Sequence, residues 1–405
     1  MKGLVLEGGG TKGAYQIGAY KALRELGIEF QGVTGTSIGA LNGAFIIQND
    51  IEIMEDIWRN YDYSSFMNID EDTYEKYKDL DFTAKSFNIV LELMNKARKN
   101  QGIDITPLRE MLEKNINEEA IRSSNRDFGI VTVHWDKKFN PHHLYIEDIP
   151  EGRLVDYLIA SASLPIFNLE KMDDKLYLDG MFSDNIPVKL LVDKGYNDIV
   201  VIRLMDDFIG NMNVNKFLDK GINITTIIPS EPLGGSLNKD KENIEKNMLL
   251  GYLDTMKVFK RYEGVKYYFN LDYKFDEDYC FNKFISLKKE TIEYLCNSLG
   301  IKRDVSRRTL LENIIPKLGE VLNLPKEFSY KDLFYAVYEQ KLQENGINRR
   351  QLYDFNKLVD VVHKNYKPNR ESEEINEVHL ITPIPKSKLP KVLTNQIISD
   401  FKNQG

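Results

Sequence analysis

Apolar positions in the first half of this chain come as short continuous runs separated by stretches of helical spacing. Leu4–Leu6 is a run too short for a helix and reads as a strand. Between about Thr11 and Leu26, Tyr15, Ile17, Ala19 and Leu23 recur at helical spacing, and Gly27 supplies the stop. Gln31–Gly35 is a second extended run, followed by a small-residue helix over Ile38–Gln48. Further strands are predicted at Ile130–Val133, Leu144–Ile146, Leu176–Leu178, Ile199–Leu204 and Ile224–Ile228. Strands alternating with helices imply a layered α/β domain built on a mainly parallel sheet.

Two regions break this alternation. Residues 51–105 carry helical patterns rich in Tyr, Asp and Lys with no strand signal, and read as a helical insertion over one sheet edge. Within it Phe87, Val90, Leu91 and Met94 form an apolar stripe, whose ordinary meaning is core packing rather than a lid or a membrane contact. From residue 276 onward the chain reads as mostly helical and rich in aromatics. "EVHLITPIPKSKLP" stands there as a late extended piece able to rejoin the sheet. The expected division is a domain over 1–275 and a mostly helical region over 276–405.

Composition narrows the class. With 42% hydrophobic and 29% charged residues, the chain is expected to fold as an ordinary globular protein. No run of about 18 apolar residues predicts a transmembrane helix, and Leu4–Leu6 is too short for the apolar region of a signal peptide. Cys280 and Cys296 make neither a disulfide framework nor a metal cluster, so the expected setting is a reducing cytoplasm. The net charge of −8 is uneven: residues 281–405 carry 21 Lys and Arg against 16 Asp and Glu, the remainder 33 against 46. A mildly basic tail is a weak hint of affinity for anionic surfaces, and a solvated helical face is its more ordinary meaning. No dense basic stretch with interleaved aromatics supports nucleic-acid binding.

The first strand runs into "EGGGTKG", where Gly8, Gly10 and Gly13 match G-x-G-x-x-G. A dinucleotide site would need an acidic residue ending the next strand, and a phosphate loop of the Walker type would need Lys after Gly13. Neither is present. The second strand ends instead in Gly35-Thr36-Ser37-Ile38-Gly39. A G-x-S-x-G between strand and helix fits a nucleophile elbow, in which a strained serine projects its hydroxyl and the following helix dipole favours negative charge. The glycine run then becomes a source of backbone N–H groups for an oxyanion. Lys12 could add positive charge there, or be a surface lysine.

A serine hydroxyl needs a proton acceptor. Five histidines are available: His134, His142, His143, His363 and His379. The elbow comes too early in the chain for an α/β-hydrolase order, His142 and His143 read as turn residues after Pro141, and His379 lies in the late extended run. A carboxylate is the better candidate. Asp179-Gly180 follows a strand, so Asp179 would stand at the C-terminal edge of the sheet, where a desolvated carboxylate can act as a base. In isolation Asp-Gly is merely a turn signal.

Taken together, Gly8-Gly9-Gly10-Thr11-Lys12-Gly13, Gly35-Thr36-Ser37-Ile38-Gly39 and Asp179-Gly180 resemble the patatin-like phospholipase family. "GIDITPLREML", "IASASLPIF" and "DGMFSDNIPVKLLVDKGYNDIVVIRL" are similar to its supporting segments, and the likeness covers roughly residues 1–270. Met181 departs from the small residue usual after Asp-Gly. The resemblance implies a three-layer α/β/α fold and hydrolysis of fatty-acyl esters through an acyl-enzyme. It implies Ser37 as nucleophile, Asp179 as base, and the backbone of Gly8, Gly9, Gly10 and Thr11 as the oxyanion hole. Lys12, Gly13, Gly35, Gly39 and Gly180 complete the motifs. It implies no metal and no cofactor. The expected partners are a phospholipid or other acyl ester and transient contact with a membrane surface. The rival expectation is a non-catalytic lipid- or protein-binding module that retains the fold.

Overall fold

A computed structural model describes residues 1–60, 62–78, 87–99, 102–135, 139–169, 171–365 and 384–404. The chain divides into two compact units, Met1–Met256 and Lys257–Gly405. The boundary lies some twenty residues before the expected one, near the end of a single helix over Lys241–Val258.

The first unit is built on an eight-stranded sheet. Its strands are β1 (Lys2–Leu6), β2 (Gly32–Thr36), β3 (Asp127–Trp135), β4 (Phe139–Tyr145), β5 (Lys171–Met172), β6 (Lys175–Asp179), β7 (Asp198–Ile202) and β8 (Asn223–Ile227). The spatial order is β5-β6-β3-β2-β1-β7-β8, with β4 also pairing with β3. β3, β2, β1, β7 and β8 are mutually parallel. β4 and β6 run antiparallel to β3, and β5 antiparallel to β6.

The central strands are apolar without interruption because both faces are covered. On one face Val5, Ile199 and Val201 pack against Val188 and Leu191 of the helix Val188–Asp193 and against Val214 and Phe217 of the helix Phe208–Leu218. On the other, α2 (Ile38–Ile47) lies over Leu6, Val33 and Phe128, its approach permitted by Gly43. Around it stand α1 (Ala14–Glu25) and α3 (Ile51–Arg59). The helix Lys241–Val258 crosses α1 closely: a Cβ on Gly18 would lie 1.8 Å from the Met248 carbonyl oxygen. The result is the expected α/β/α sandwich.

The insertion is helical where it is described, with α3, Glu71–Tyr77 and Phe87–Lys99. Met94 packs on Val133 and Leu178, which is the core role expected of that stripe. The side chains of Phe87 and Val90 lie outside the described residues. The late extended piece is described only from residue 384, where a turn leads into the helix Leu389–Asn403, and His379 also lies outside. One expectation is corrected: His142 and His143 are not turn residues but occupy β4, opposite Thr132 and Val131.

The second unit has its own core, centred on Phe269, Phe275, Phe334, Tyr335 and Phe355. A short sheet of Tyr262–Glu263, Tyr268–Asn270 and Leu352–Tyr353 accompanies its helices. Glu339, buried on the helix Tyr330–Glu344, accepts hydrogen bonds from the amides of Val265, Lys266 and Tyr267 at 2.7, 2.7 and 3.1 Å. Cys280 and Cys296 are both buried free thiols.

Candidate active site

Strand direction places the candidate residues together. β1 and β2 are parallel neighbours in register Leu6↔Gly35, so the glycine loop after β1 and the serine turn after β2 leave the same sheet edge side by side. A methyl group at Gly8 would sit 3.1 Å from Ser37 Cβ. β6 runs the other way, antiparallel to β3, and its register Thr132↔Asp179 sets the aspartate at its C-terminal end.

Ser37 has φ 57° and ψ −128°, a left-handed conformation unusual for a residue with a side chain. It caps α2, and its Oγ donates to Asp179 Oδ2 at 2.6 Å. Its flanking glycines are required by close approach: a Cβ on Gly39 would lie 2.3 Å from the Leu6 carbonyl oxygen, and one on Gly35 2.2 Å from that of Gly39. Gly180 is in contact with β3 at the Val131 carbonyl, and Gly13 with Ile38 at the start of α2.

Asp179 is fully buried. Its Oδ1 accepts from the Met181 amide at 2.9 Å, so the residue that departs from the family motif keeps a backbone role. Burial pushes the Asp179 carboxyl up to about 7, against the lowering effect of the Ser37 hydroxyl and then of the Met181 amide. Among the described residues no histidine is hydrogen-bonded to the pair. His143 Nε2 lies 2.8 Å from Asp184 Oδ2 instead.

The glycine loop is less uniform than its sequence. The Gly8 amide donates to the Asn185 carbonyl at 3.3 Å and the Thr11 amide to the Ser236 carbonyl at 3.0 Å. The Gly9 and Gly10 amides make no hydrogen bond among the described residues. Gly10 sits at φ 59°, where a Cβ would meet the Ser236 carbonyl oxygen at 2.1 Å. Thr11 Oγ1 donates to the Gly235 carbonyl at 3.1 Å and accepts from the Asn238 amide at 3.1 Å. Lys12 is buried rather than on the surface, its stem near Gly9.

Beneath the loop, Glu7 and Arg203 form a buried ion pair (Nε to Oε2, 3.0 Å). Arg203 also reaches Asp207 at 2.8 Å and Asn211 at 2.9 Å. Burial raises the Glu7 carboxyl, and Arg203 opposes that rise. Sequence reasoning missed this pair, since only the alignment of β1 with β7 brings the two residues together.

Gly9, Gly10 and Ser37 open onto an apolar pocket walled by Leu41, Trp58, Phe66, Met67, Leu164 and Phe167. Trp58, Phe66 and Met67 belong to the helical insertion. Sequence reasoning assigned that insertion to the sheet edge and did not foresee its part in the pocket. The available signal was the cluster of large apolar residues between Trp58 and Met67.

Residues 4–192 match the family described as Patatin-like phospholipase. The "Neuropathy target esterase sws" of Drosophila melanogaster is 29% identical over 212 residues, which is 49% of this chain and 12% of that protein. A "Lysophospholipase NTE1" of Cryptococcus neoformans is 27% identical over 202 residues, 49% of this chain and 11% of that one. This chain thus spans about an eighth of the length of such relatives. Among solved structures, VipD from Legionella pneumophila aligns with a TM-score of 0.40 at 12% identity, covering 100% of this chain and 85% of that one.

Proposed function

Residues 4–192 are a patatin-like phospholipase domain, and on that premise we propose that the chain is a serine hydrolase of lipid acyl esters. Asp179 Oδ2 takes the proton of Ser37 Oγ as that oxygen attacks the ester carbonyl. The amides of Gly9 and Gly10 hold the oxyanion. Collapse breaks the bond to the alcohol, which leaves with the proton from Asp179. Water, deprotonated by Asp179, then attacks the acyl carbonyl; collapse breaks the bond to Ser37 Oγ, which takes the proton back from Asp179 as the fatty acid leaves. The apolar pocket takes the acyl chain.

The observation that carries this reading is the 2.6 Å contact between a left-handed serine and a fully buried aspartate at the wall of an apolar pocket. A binding module has no use for a strained nucleophile, so the enzymatic reading is preferred. The substrate class is phospholipid or lysophospholipid, met at a lipid surface.

The contact with that surface is assigned to the N-terminal half of the helix Phe208–Leu218, where Phe208, Ile209 and Met212 are 80, 63 and 55% exposed. That helix follows β7, parallel to β1, and so starts from the same sheet edge as the glycine loop. Among the described residues no helix is long and apolar enough to cross a membrane.

The test is hydrolysis of a lipid panel, with product analysis, by wild type, Ser37→Ala and Asp179→Asn. Both variants are expected to fall by at least about a thousandfold. Wild type inert on every lipid and short-chain ester, or Ser37→Ala fully active, would sink the proposal.

A further inference from the structure

Ser37 and Asp179 touch although they follow strands that are not neighbours, with β3 lying between β2 and β6. A third segment links them. The helix Leu154–Ser161 ends in a turn through Ser163. Ser161 Oγ accepts from the Ser37 amide at 2.9 Å and donates to the Val131 carbonyl of β3 at 2.6 Å. Two residues on, the Ser163 carbonyl accepts from the Asp179 amide at 2.8 Å. The turn is itself braced, since Ser163 Oγ donates to the Ile159 carbonyl at 2.7 Å. Ser161 and Asp179 are wholly buried, and Ser163 nearly so.

We infer that Ser161 is a positioning residue. Its hydroxyl, held on Val131, fixes the Ser37 amide while the Ser163 carbonyl fixes the Asp179 amide, so one three-residue turn sets the separation of Ser37 Oγ and Asp179 Oδ2. The inference rests on the reading of those two residues as the catalytic pair.

The physical reason lies in the elbow. Ser37 precedes α2 in a conformation that gives its amide no partner within its own helix, and a buried amide without a partner is strongly disfavoured. The Ser161 hydroxyl is the group that satisfies it. Without that hydroxyl the elbow gains free energy by relaxing from φ 57°, and relaxation swings Oγ away from Asp179. The arrangement also divides labour among donors: the Ser37 amide, occupied by Ser161, is withheld from the oxyanion, while Gly9 and Gly10 are left open to it.

The experiment uses the full chain and a soluble p-nitrophenyl ester of a short fatty acid. Ser161→Ala is expected to lower kcat by about 10- to 100-fold with KM unchanged, as for a small misplacement of a reacting group. The acid limb of its pH profile should move to higher pH, because Asp179 loses the hydroxyl that stabilises its charged form. Ser161→Thr, which keeps the hydroxyl, should recover most of the activity. If the alanine variant does not fold, Ser161→Cys fills the same space with a poor acceptor and should shift both quantities in the same direction. Titration of the Asp179 side chain by 13C NMR, assigned by its loss in Asp179→Asn, reads the same geometry without turnover. It therefore decides the matter even if wild type proves inactive, which would count against the hydrolase reading alone. Equal kcat, or in its absence an equal Asp179 titration, in Ser161→Ala and wild type would overturn the inference.

Discussion

Asp179 is an ionisable group placed where ionisation is unfavourable, and two consequences follow at the scale of single residues. Its carboxyl must be charged to accept a proton from Ser37, and burial pushes it up to about 7. Hydrolysis of a soluble ester should therefore fall about tenfold for each pH unit below 7, which a kcat/KM profile from pH 5 to 9 would reveal. Flat activity down to pH 5 would exclude Asp179 as the base. The second consequence concerns stability. A carboxyl raised from its ordinary 3.8 takes up a proton on folding, so its contribution is fully present below about pH 4 and lost as pH rises through 7. Asp179→Asn should thus be more stable than wild type at pH 8, on the order of 2–4 kcal/mol, while inactive. Urea unfolding at pH 5 and 8 would measure it. That Ser37 and Asp179 share one site could be anticipated from the chain because each lies in a short motif with local geometry: glycines that let a backbone pass, and a turn that ends a strand. Ser161 could not, for its contact with Ser37 spans 124 positions and nothing local distinguishes it from Ser163.

Among elements, the joint between β1, the glycine loop and β7 is held by a buried charge network. Arg203 is wholly buried and holds Glu7 on one side and the start of the helix Phe208–Leu218, through Asp207 and Asn211, on the other. Gly210 leaves room for the guanidinium, which a Cβ there would meet at 1.9 Å. Arg203→Met leaves Glu7 buried without its counter-charge and should lose about 3–5 kcal/mol of stability by chemical denaturation. Adding Glu7→Gln should recover part of that loss. An unchanged denaturation midpoint in Arg203→Met would rule out this account of the joint. Gly10→Ala should be disabling, since its φ and the Ser236 carbonyl both exclude a side chain. At least a tenfold fall in hydrolysis with a lowered Tm is expected. The strands were readable as short apolar runs between helical spacings. The antiparallel β3–β4–β6 edge was harder, because Asn140, Pro141, His142 and His143 carry turn-forming and polar types into a strand. The apolar pocket was not readable either, because the insertion's helices show which residues are apolar but not which wall they form.

For the whole molecule, surface chemistry sets how substrate is met. The residues before 281 carry 33 positive against 46 negative side chains, and Asp206 and Asp207 stand beside the exposed turn at Phe208. Attachment by charge to an anionic surface is therefore disfavoured, and apolar insertion is expected to be nearly insensitive to salt. Replacing Phe208, Ile209 and Met212 together by Ser should lower sedimentation with phosphatidylcholine vesicles and hydrolysis of vesicle lipid several-fold. Turnover of a soluble ester should be unchanged. Equal vesicle binding by the variant would remove that turn from consideration.

Homology and foldability have different boundaries in this protein. The family match ends at residue 192, yet β1 is hydrogen-bonded along one side to β7, and Thr11 is tied to residues 235, 236 and 238. A chain cut at residue 192 would keep the glycine loop, the serine elbow and Asp179-Gly180 and lose half the support of the strand that carries the first of them. Its apolar β1 edge would stand open to pairing with other chains, so such a fragment is expected to aggregate rather than act as a minimal enzyme. Recombining this segment with foreign partners requires carrying it through the helix that ends at Val258.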